Sequence, residues 1–461
     1  MGILDFILTP IYIFIIFFLS RFLVKNNIEK KPYYKYYLTG LTIKIIGGFG
    51  VCIIYLYYYG SGDTLLYFHS DKVLLRLMMK YPGTFYSIMT GHLTPENRAA
   101  FDDETGYPNY WYDPHTFYIV RLTTFICLLG MKSFLTTTIL LAWFSFSGIW
   151  RLFVMFCEEF PRLEKQFAYA IFYIPSVAFW GSGLLKDTIT LSAICWFSYS
   201  FYKAFIKREN FIKNFIFVFI SMYLILSIKS YILYSLLPGT FLWLTYTNLG
   251  NINNKIIRYI VAPFLLFGGS ISIFLLLKQL GNEMGKFNVN EILERAVITQ
   301  QDLIKDYNGG NTFDIGKFDA NIPSMLAKAP IAIVSGLFRP FIWEANNLVM
   351  LISSLENMAM LIFTILTLIK IRVFNFFGLL RTNPMLLFVF SFAICFAFSV
   401  GLSTPNFGSL VRYRIPSIPF FLISLILLRH FYVEKKENIK AVTELDIETR
   451  LANKKTFRLI K

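Results

Sequence analysis

The chain has 461 residues, of which 56% are apolar and only 16% are charged. An average soluble domain is roughly 45–50% apolar and about 25% charged, so this composition excludes a water-soluble globular protein. The formal net charge of +16 does not indicate nucleic-acid binding, because Lys and Arg mostly flank apolar segments, as they do in proteins oriented in a membrane. We therefore predict an all-α, polytopic transmembrane helical bundle.

Apolar segments of the length that crosses a bilayer, about 20 residues, recur along the chain. They are residues 3–24, 37–58, 134–157, 167–185, 188–205, 211–228, 231–249, 256–277, 347–368, 386–402 and 418–428. Two further apolar segments are ambiguous, because residues 117–130 are short and contain Arg121, and residues 325–343 contain a lysine and two prolines. We expect neither to cross the membrane, and we predict about eleven spans, within a range of about 10–13.

Basic segments alternate with these spans in a way that favours one orientation. They lie at residues 25–35, 161–166, 207–213, 251–258, 370–381 and from 429 onward. Because Lys and Arg concentrate on the cytoplasmic side, we expect a bacterial inner (plasma) membrane protein with a periplasmic N-terminus and a cytoplasmic C-terminus. Residues 1–431 would form the transmembrane domain and residues 432–461 a basic cytoplasmic tail. Residues 59–116 and 278–344 would be large non-cytoplasmic loops, the first with amphipathic juxtamembrane helices.

The first of these loops opens with acidic and aromatic residues. In a helix that begins just after Asp63, the residues Asp63, Tyr67 and Asp71 recur every four positions and share one face, close to His69. A carboxylate at the membrane boundary could act as a general base on a sugar hydroxyl or bind a divalent cation. The alternative for Asp63 is an ordinary helix N-cap. Residues 102–115 combine Tyr, Trp and carboxylates, which suits carbohydrate binding or, alternatively, an interfacial aromatic belt.

A tight corner at residues 174–188 joins two predicted spans and ends in Lys186 and Asp187. Ionisable groups at membrane depth are costly, so they are rare and usually functional. Lys186 could hold a phosphate as a compact point charge, and Asp187 would lie at a helix N-terminus, where negative charge is favoured. The alternative is a self-contained ion pair in which the aspartate caps its own helix. We interpret the corner as functional and Asp187 as a candidate catalytic residue.

Further charged side chains occur in other segments of the predicted outer face. They are Lys229, Arg339, Glu344, Arg412 and Arg414. The positive-inside rule predicts few Lys or Arg on this face, so a shared anionic substrate is favoured over separate contacts with lipid headgroups. Arg412 and Arg414 could bind successive phosphates bidentately. A lipid-linked sugar, with its polyprenyl tail, phosphate and glycosyl unit, would suit such a set of groups at this depth.

Metal and disulfide signals are weak in this sequence. The five cysteines lie singly inside apolar segments, without disulfide or metal-ligand spacing. We predict no metal site from side-chain spacing, and the sequence leaves open whether a cofactor such as Mg²⁺ or Mn²⁺ is needed.

Two motifs resemble those of C-type (GT-C) polyprenyl-phosphate-sugar glycosyltransferases, which are multi-helical inner-membrane enzymes that act on the periplasmic side. The first is the Asp-Thr-x-x-Tyr opening of the first outer loop, at Asp63 and Tyr67. The second is the Pro…Gly…Lys-Asp corner at residues 175–187, which starts a new span. The resemblance implies that Asp63 is the catalytic base.

The late Arg-Tyr-Arg loop, with Arg412 and Arg414, is similar to the outer arginine loops of O-antigen and exopolysaccharide polymerases. In those enzymes arginines hold the diphosphate linker, which implies the same role for these two residues. The resemblances imply a glycosyltransferase or polysaccharide polymerase that uses a polyprenyl-(di)phosphate-linked donor and an acceptor glycan. Two other hypotheses stay open: a flippase or transporter of an anionic lipid or solute, and a non-enzymatic scaffold of envelope assembly.

Overall fold

The computed structural model describes residues 2–250, 289–304 and 311–459. The described part of the chain is 82% helical and contains no strand, which confirms the predicted all-α helical bundle. Helices suit such an apolar chain because each one pairs its own backbone N–H and C=O groups, which cannot bind water inside a bilayer. An isolated β-bridge between Thr312 and Asn406 joins two loop segments.

The helices are labelled in chain order. The first are α1 Ile3–Asn27, α2 Tyr37–Ile53, α3 Asp63–Lys80, α4 Pro82–Met89, α5 Pro95–Arg98, α6 Pro114–Leu129, α7 Phe134–Glu159, α8 Glu164–Phe172, α9 Pro175–Trp180, α10 Lys186–Phe201 and α11 Phe211–Gly250. They are followed by α12 Val289–Ile304, α13 Ile322–Ala327, α14 Ala329–Phe338, α15 Leu348–Ile371, α16 Val373–Thr382, α17 Pro384–Ser403, α18 Phe407–Tyr413 and α19 Ser417–Leu459. Helices α7, α10, α11, α17 and α14 pack side by side in that order, and α3 packs against α6.

Seven of the described helical segments are long and apolar enough to cross a membrane. They are Leu4–Asn27, Pro32–Tyr59, Phe134–Glu159, Phe211–Leu249, Leu348–Ile371, Pro384–Ser403 and Ser417–Lys440. These segments indicate a membrane protein, and one of them contains two predicted spans, at 211–228 and 231–249. The predicted span at 256–277 lies outside the described residues. The total of about eleven spans stays a prediction.

The predicted span at residues 167–185 is not one continuous helix. Helix α8 ends at Phe172, and α9 occupies only Pro175–Trp180. Pro175 has no N–H to donate and disfavours helical geometry in the residue before it, and Ile174 is accordingly extended, with φ −75° and ψ 119°. A non-helical turn at residues 181–185 then leads into α10. The continuous 167–185 span is therefore corrected to two short helices and a turn.

The two ambiguous apolar segments form helices that are shorter than a full span. Helix α6 has 16 residues and α14 has 10, whereas a span needs about 20. Helix α6 packs along α3, and α14 packs along α17. Whether either helix crosses the membrane stays a prediction.

The chain reverses its direction at Lys229, inside α11. Lys229 has φ −146° and ψ 82°, which interrupts the helix. Before this break, Phe217 stacks on Trp196 of α10, with ring centroids 4.7 Å apart; after it, Trp243 packs against Phe201 at the C-terminal end of α10. Lys229 itself contacts the beginning of α10. The two halves of α11 therefore run antiparallel, with Lys229 at the tip of a helical hairpin.

Different segments of the chain lie at the two ends of the helical bundle. At one end, Lys31 and Lys203 form ion pairs with Glu158, and Lys207 pairs with Glu159. These residues belong to or flank the segments predicted to face the cytoplasm. At the other end lie the beginnings of α3 and α10 and the tip of α11. This grouping agrees with the positive-inside pattern, although the side of the membrane on which each end lies stays a prediction.

The last helix crosses the predicted boundary between the transmembrane domain and the tail. Helix α19 runs from Ser417 to Leu459 without a break at residues 431–432. The tail thus begins as the polar continuation of an apolar helix.

Helices α14 and α17 approach each other closely through glycines. A Cβ atom at Gly336 would lie 2.1 Å from the carbonyl oxygen of Ala397, and one at Gly401 would lie 1.9 Å from that of Ala332. Real side-chain atoms cannot approach so closely, so the two backbones meet only because neither glycine has a side chain. Small residues commonly let membrane helices pack in this way.

The close contact makes Gly336 sensitive to substitution. We expect Gly336→Leu to separate α14 from α17 and lower the free energy of unfolding by about 1–3 kcal/mol or more. The measurement is the thermal midpoint of the purified protein in detergent. The matched control is Gly378→Leu on α16, where a Cβ would meet no atom within 4 Å. Equal midpoints in the two variants would contradict the close packing of α14 on α17.

Candidate functional site

Four charged side chains from distant parts of the chain meet at one end of the helices. Arg412 donates from Nη1 to Oδ2 of Asp63 at 2.8 Å and from Nε to Oδ2 of Asp187 at 2.6 Å. Lys229 donates from Nζ to Oδ1 of Asp187. We call Asp63, Asp187, Lys229 and Arg412 the ionic cluster. The side chains of Asp187 and Arg412 are 1% and 12% exposed, so their charges are balanced mainly by each other and not by water.

The sequence around Asp63 turns the chain sharply before α3 begins. Gly60 and Gly62 have φ of 66° and 120°, in the region that favours glycine. A Cβ atom on Gly62 would also lie 2.7 Å from the ring of Tyr55. Gly62 occupies the N-cap position of α3, so the carboxylate of Asp63 makes no capping bond and reaches Arg412.

The other members of the ionic cluster stand at helix ends and breaks. Asp187 lies in the first turn of α10, where the partial positive charge of the helix N-terminus favours a carboxylate. Lys229 occupies the reversal of α11, and Arg412 lies in the last turn of the short helix α18. The Lys229 ammonium also lies 4.4 Å from the ring centre of Tyr413, a favourable cation–π contact.

Tyr110 and Arg412 keep Asp63 in its charged form. The hydroxyl of Tyr110 donates to Oδ1 of Asp63 at 2.8 Å. Burial raises the pKa of Asp63, but the charge of Arg412 and the hydrogen bonds from Arg412 and Tyr110 outweigh burial and hold that pKa below its ordinary value. Asp63 is therefore ionised at neutral pH and can accept a proton or a hydrogen bond.

Lys186 adds positive charge beside the ionic cluster. Its Nζ donates to Oγ1 of Thr116 at 2.5 Å, and the Thr116 hydroxyl donates in turn to Asp113. Lys186 is near enough to Asp63 and Arg412 to interact with their charges. Within residues 2–250, 289–304 and 311–459 it forms no direct ion pair with a carboxylate, which leaves its ammonium free to hold an anion.

Two charged side chains from other helices hold the corner that leads into α10. Lys44 of α2 is buried and donates from Nζ to the carbonyl oxygen of Gly181. Glu356 of α15 accepts from the backbone N–H of Ser176 at 2.8 Å and from its hydroxyl at 2.5 Å. These three bonds tie a backbone break to neighbouring helices, so they fix the direction in which α10 begins.

The structure surrounds Tyr67 and His69 with neighbours of the same loop. Tyr67 is fully buried, and its ring centre lies 5.2 Å from that of Tyr110. His69 contacts the side chain of Asn109 through Nδ1 at 3.2 Å. Tyr67 thus supports the residue that binds Asp63, and His69 connects α3 with the end of the loop.

Asp71 lies in the contact between α3 and α6. Its Oδ1 accepts from the hydroxyls of Thr123 at 2.9 Å and Thr124 at 3.2 Å. Burial raises the pKa of Asp71 well above its ordinary value, more than the two hydrogen bonds lower it. The shared face of Asp63, Tyr67 and Asp71 therefore extends from the ionic cluster into a helix interface, and Asp71 makes no contact with the cluster.

Arg414 and Arg412 belong to different environments. Arg414 is fully buried. Its Nη1 donates to the carbonyl oxygens of Arg339 at 2.6 Å and of Leu337 at 3.2 Å. Its Nη2 donates to Oδ1 of Asn357. Arg339 in turn pairs with Glu344 at 3.4 Å. Because α18 is helical, residues two apart point in different directions, so the two arginines of the Arg-Tyr-Arg loop do not lie side by side.

An aromatic cleft lies in the first large loop. It has a volume of about 640 Å³, and its lining includes Arg98, Phe101, Tyr107, Trp111 and Tyr112. The Arg98 guanidinium lies 4.3 Å from the ring centre of Tyr112. Trp111, Tyr112 and Pro114 line this aromatic cleft, and their chain neighbours Tyr110 and Thr116 contact Asp63 and Lys186. The cleft and the cluster are therefore connected through one short segment.

Sequence reasoning missed Thr116, Lys44 and the contact of Tyr110 with Asp63, because it includes Tyr110 only among the aromatic residues of segment 102–115. Tyr110 is one of 28 tyrosines, and its φ of 63° is not visible in the sequence. Thr116 is a common residue at a helix start. Lys44, by contrast, stands inside an apolar span, which is a recognisable signal of a buried and partnered charge.

The donor groups do not favour a divalent cation at the ionic cluster. Among the described residues, no group of three or more His, Cys, Asp or Glu side chains converges on one point. Asp63 and Asp187 are joined by Arg412, which supplies the positive charge that a cation would provide between two carboxylates. We therefore derive no chemical step through a metal.

The chain has no match among protein-family models, curated proteins or solved structures. The likeness to GT-C enzymes and to polysaccharide polymerases thus rests on short motifs. A function has to be inferred from the ionic cluster and the aromatic cleft.

Removal of the central carboxylate should destabilise the protein strongly. Asp187→Ala leaves Lys229 and Arg412 buried beside each other without their shared partner, and we expect a loss of about 3–5 kcal/mol in the free energy of unfolding. The control is Glu104→Ala, which breaks an exposed ion pair with Lys80 and should change stability little. Thermal unfolding in detergent measures both, and a similar midpoint for the two variants would rule out a stabilising role for Asp187.

Proposed function

We propose that this protein is a glycosyltransferase or polysaccharide polymerase of the bacterial inner membrane that uses a polyprenyl-(di)phosphate-linked sugar donor. One observation carries the proposal: an ionised carboxylate, Asp63, contacts Arg412 and lies near Lys186, at one end of a set of apolar helices. A base and phosphate-binding cations at the membrane boundary are the groups that this transfer needs.

The proposed reaction assigns separate tasks to these groups. Asp63 accepts the proton of the acceptor hydroxyl while the oxygen of that hydroxyl forms a bond to the anomeric carbon of the donor. The bond from that carbon to the phosphate oxygen breaks, and the phosphate leaves with the electron pair. Arg412, Lys186 and Lys229 stabilise the negative charge that develops on the phosphate.

Arg412 and Lys186 retain N–H groups that can donate hydrogen bonds to the phosphate of such a substrate. Arg412 uses Nε and Nη1 in its bonds to the two aspartates, and Nη2 has no hydrogen bond to any described residue. A guanidinium carries five N–H groups and an ammonium three, and Lys186 uses one of its three on Thr116. We leave Arg414 out of this site, because its guanidinium binds backbone carbonyls and Asn357.

The aromatic cleft supports carbohydrate as the substrate class. Its volume of about 640 Å³ lies within the range of small-molecule sites. Exposed rings such as those of Tyr107 and Tyr112 can stack on the C–H faces of sugars. We assign the acceptor glycan to this cleft, because Trp111 in its lining is the chain neighbour of Tyr110, which binds Asp63.

Replacement of the proposed base is the first test. We expect Asp63→Asn to reduce transfer by at least about 100-fold, because an amide cannot accept the proton, while the protein folds and binds donor normally. The readout is the accumulation of polyprenyl-linked sugar intermediates, with the matching loss of surface glycan, in cells that carry the variant.

The matched control is Asp103→Asn, an exposed aspartate of the same loop, which should transfer normally. Normal transfer by Asp63→Asn would remove Asp63 from the mechanism. If the isolated wild type moved the donor lipid between leaflets and transferred no sugar, the transporter alternative would replace the proposal.

The hydrogen bond from Tyr110 gives a pH test of the same role. Tyr110→Phe keeps the ring beside Tyr67 but removes a bond that stabilises the charged form of Asp63, so the pKa of Asp63 should rise. A base is active above its pKa, so the acid limb of the pH–activity profile should move to higher pH. Tyr107→Phe in the aromatic cleft is the control and should leave that limb in place. An unchanged acid limb in Tyr110→Phe would show that the ionisation of Asp63 does not control the rate of transfer.

A further inference from the structure

A second polar cavity lies at the opposite end of α10 from the ionic cluster. It has a volume of about 370 Å³ and opens between α7, α10 and the first half of α11. Its lining includes Arg151, Trp196, Tyr199, Lys203 and Lys213. We call it the basic cavity. None of its residues takes part in the proposed transfer, so it requires a separate explanation.

The charges that line the basic cavity do not cancel. Glu158 pairs with Lys31 at 3.4 Å and with Lys203 at 3.0 Å, and Glu209 pairs with Lys203 at 2.6 Å. Both carboxylates of the cavity are thus already neutralised. Arg151 and Lys213, in contrast, form neither an ion pair nor a hydrogen bond with any residue that the structure describes.

Arg151 is placed where an unbalanced charge is costly. It lies eight residues before Glu159, the last residue of α7, so it is about 12 Å from that end of the helix. Its guanidinium stands 5.2 Å from the ring centres of both Trp196 and Tyr199. Such rings attract a cation, but they carry no net charge and leave the positive charge uncompensated.

The surface beside the basic cavity is apolar and exposed. On the first half of α11, which also supplies Lys213, the side chains of Ile212, Phe219 and Tyr223 are 76%, 55% and 57% exposed. A ligand that fits both surfaces has an anionic head for Arg151 and Lys213 and hydrocarbon chains for this helix face. Basic pockets between membrane helices bind lipid headgroups in this manner.

We propose that the basic cavity binds the phosphate headgroup of an anionic phospholipid, whose acyl chains lie along the first half of α11. Arg151 and Lys213 bind the phosphate, and the faces of Trp196 and Tyr199 hold the Arg151 guanidinium in place. This site is independent of the proposed sugar transfer, because it shares no residue with the ionic cluster or the aromatic cleft.

The test measures lipid binding to the full chain, purified in detergent and depleted of lipid. Phosphatidylglycerol, phosphatidylcholine and inorganic phosphate are titrated separately, and bound ligand is counted by native mass spectrometry. We expect phosphatidylglycerol to bind at least about fivefold more tightly than phosphatidylcholine, because each basic group near an anionic lipid contributes about that factor. Inorganic phosphate should bind weakly, because it has no acyl chains.

Substitutions in the basic cavity test whether the phospholipid binds there. Lys213→Gln should weaken phosphatidylglycerol binding by about fivefold, and Arg151→Gln by at least as much. The effect on phosphatidylcholine should be smaller, because its choline group offsets the charge of its phosphate. Lys213 is exposed, so its variant should fold and can decide the question even if Arg151→Gln does not. The control is Lys25→Gln, an exposed lysine at the end of α1, which should bind as the wild type does.

Three results would overturn the proposal. In the first, phosphatidylglycerol and phosphatidylcholine bind with equal affinity. In the second, Lys213→Gln and Lys25→Gln have the same affinity for phosphatidylglycerol. In the third, inorganic phosphate binds as tightly as phosphatidylglycerol. None of these measurements uses sugar transfer as its readout, so the lipid site and the proposed enzyme activity can fail separately.

Discussion

The arrangement of the charged end depends on the buried carboxylate of Asp187. It receives Lys229 from the tip of the α11 hairpin and Arg412 from α18, and Arg412 extends the contact to Asp63 at the start of α3. One small anion therefore joins four elements that are far apart in the chain. A buried charge without its partner is strongly unfavourable, so these elements stabilise one another's positions. The helix N-terminus behind Asp187 adds to the same effect.

The proposed activity of the site depends on charged groups whose hydrogen-bond donors are not all taken up by this network. Within the described residues, Lys186 forms no ion pair with a carboxylate and Nη2 of Arg412 has no hydrogen bond, while Tyr110 and Arg412 keep Asp63 ionised. The proposed base and a set of cations thus stand together at one end of the helices. At the other end of α10, Arg151 and Lys213 form a second region of excess positive charge. Helices α10 and α11 therefore contribute to both regions at opposite ends, with Lys186, Asp187 and Lys229 at one end and Trp196, Tyr199 and Lys213 at the other.

Several parts of this architecture follow from local features of the sequence. Segments 3–24, 134–157 and 386–402 are continuous apolar runs, and each is a helix in the structure. The segment 167–185 is equally apolar, but Pro175 breaks it, because proline opposes helical geometry in the residue before it. Lys229 is predicted between two spans, and it does stand at a reversal of the chain. Charges that interrupt apolar runs were thus the most informative signals, because burying them requires partners.

Composition and apolar periodicity were sufficient for the class of protein and for most of its long helices, because both depend on local chain properties. They also drew attention to Asp63, Lys186, Asp187, Lys229 and Arg412 as charges in unusual positions. They could not separate Arg412 from Arg414, which face different partners because α18 is helical. They also could not find the contact of Tyr110 with Asp63, which joins residues 47 positions apart. Which charges pair depends on how helices pack, and that packing is a property of the whole chain and not of any single segment.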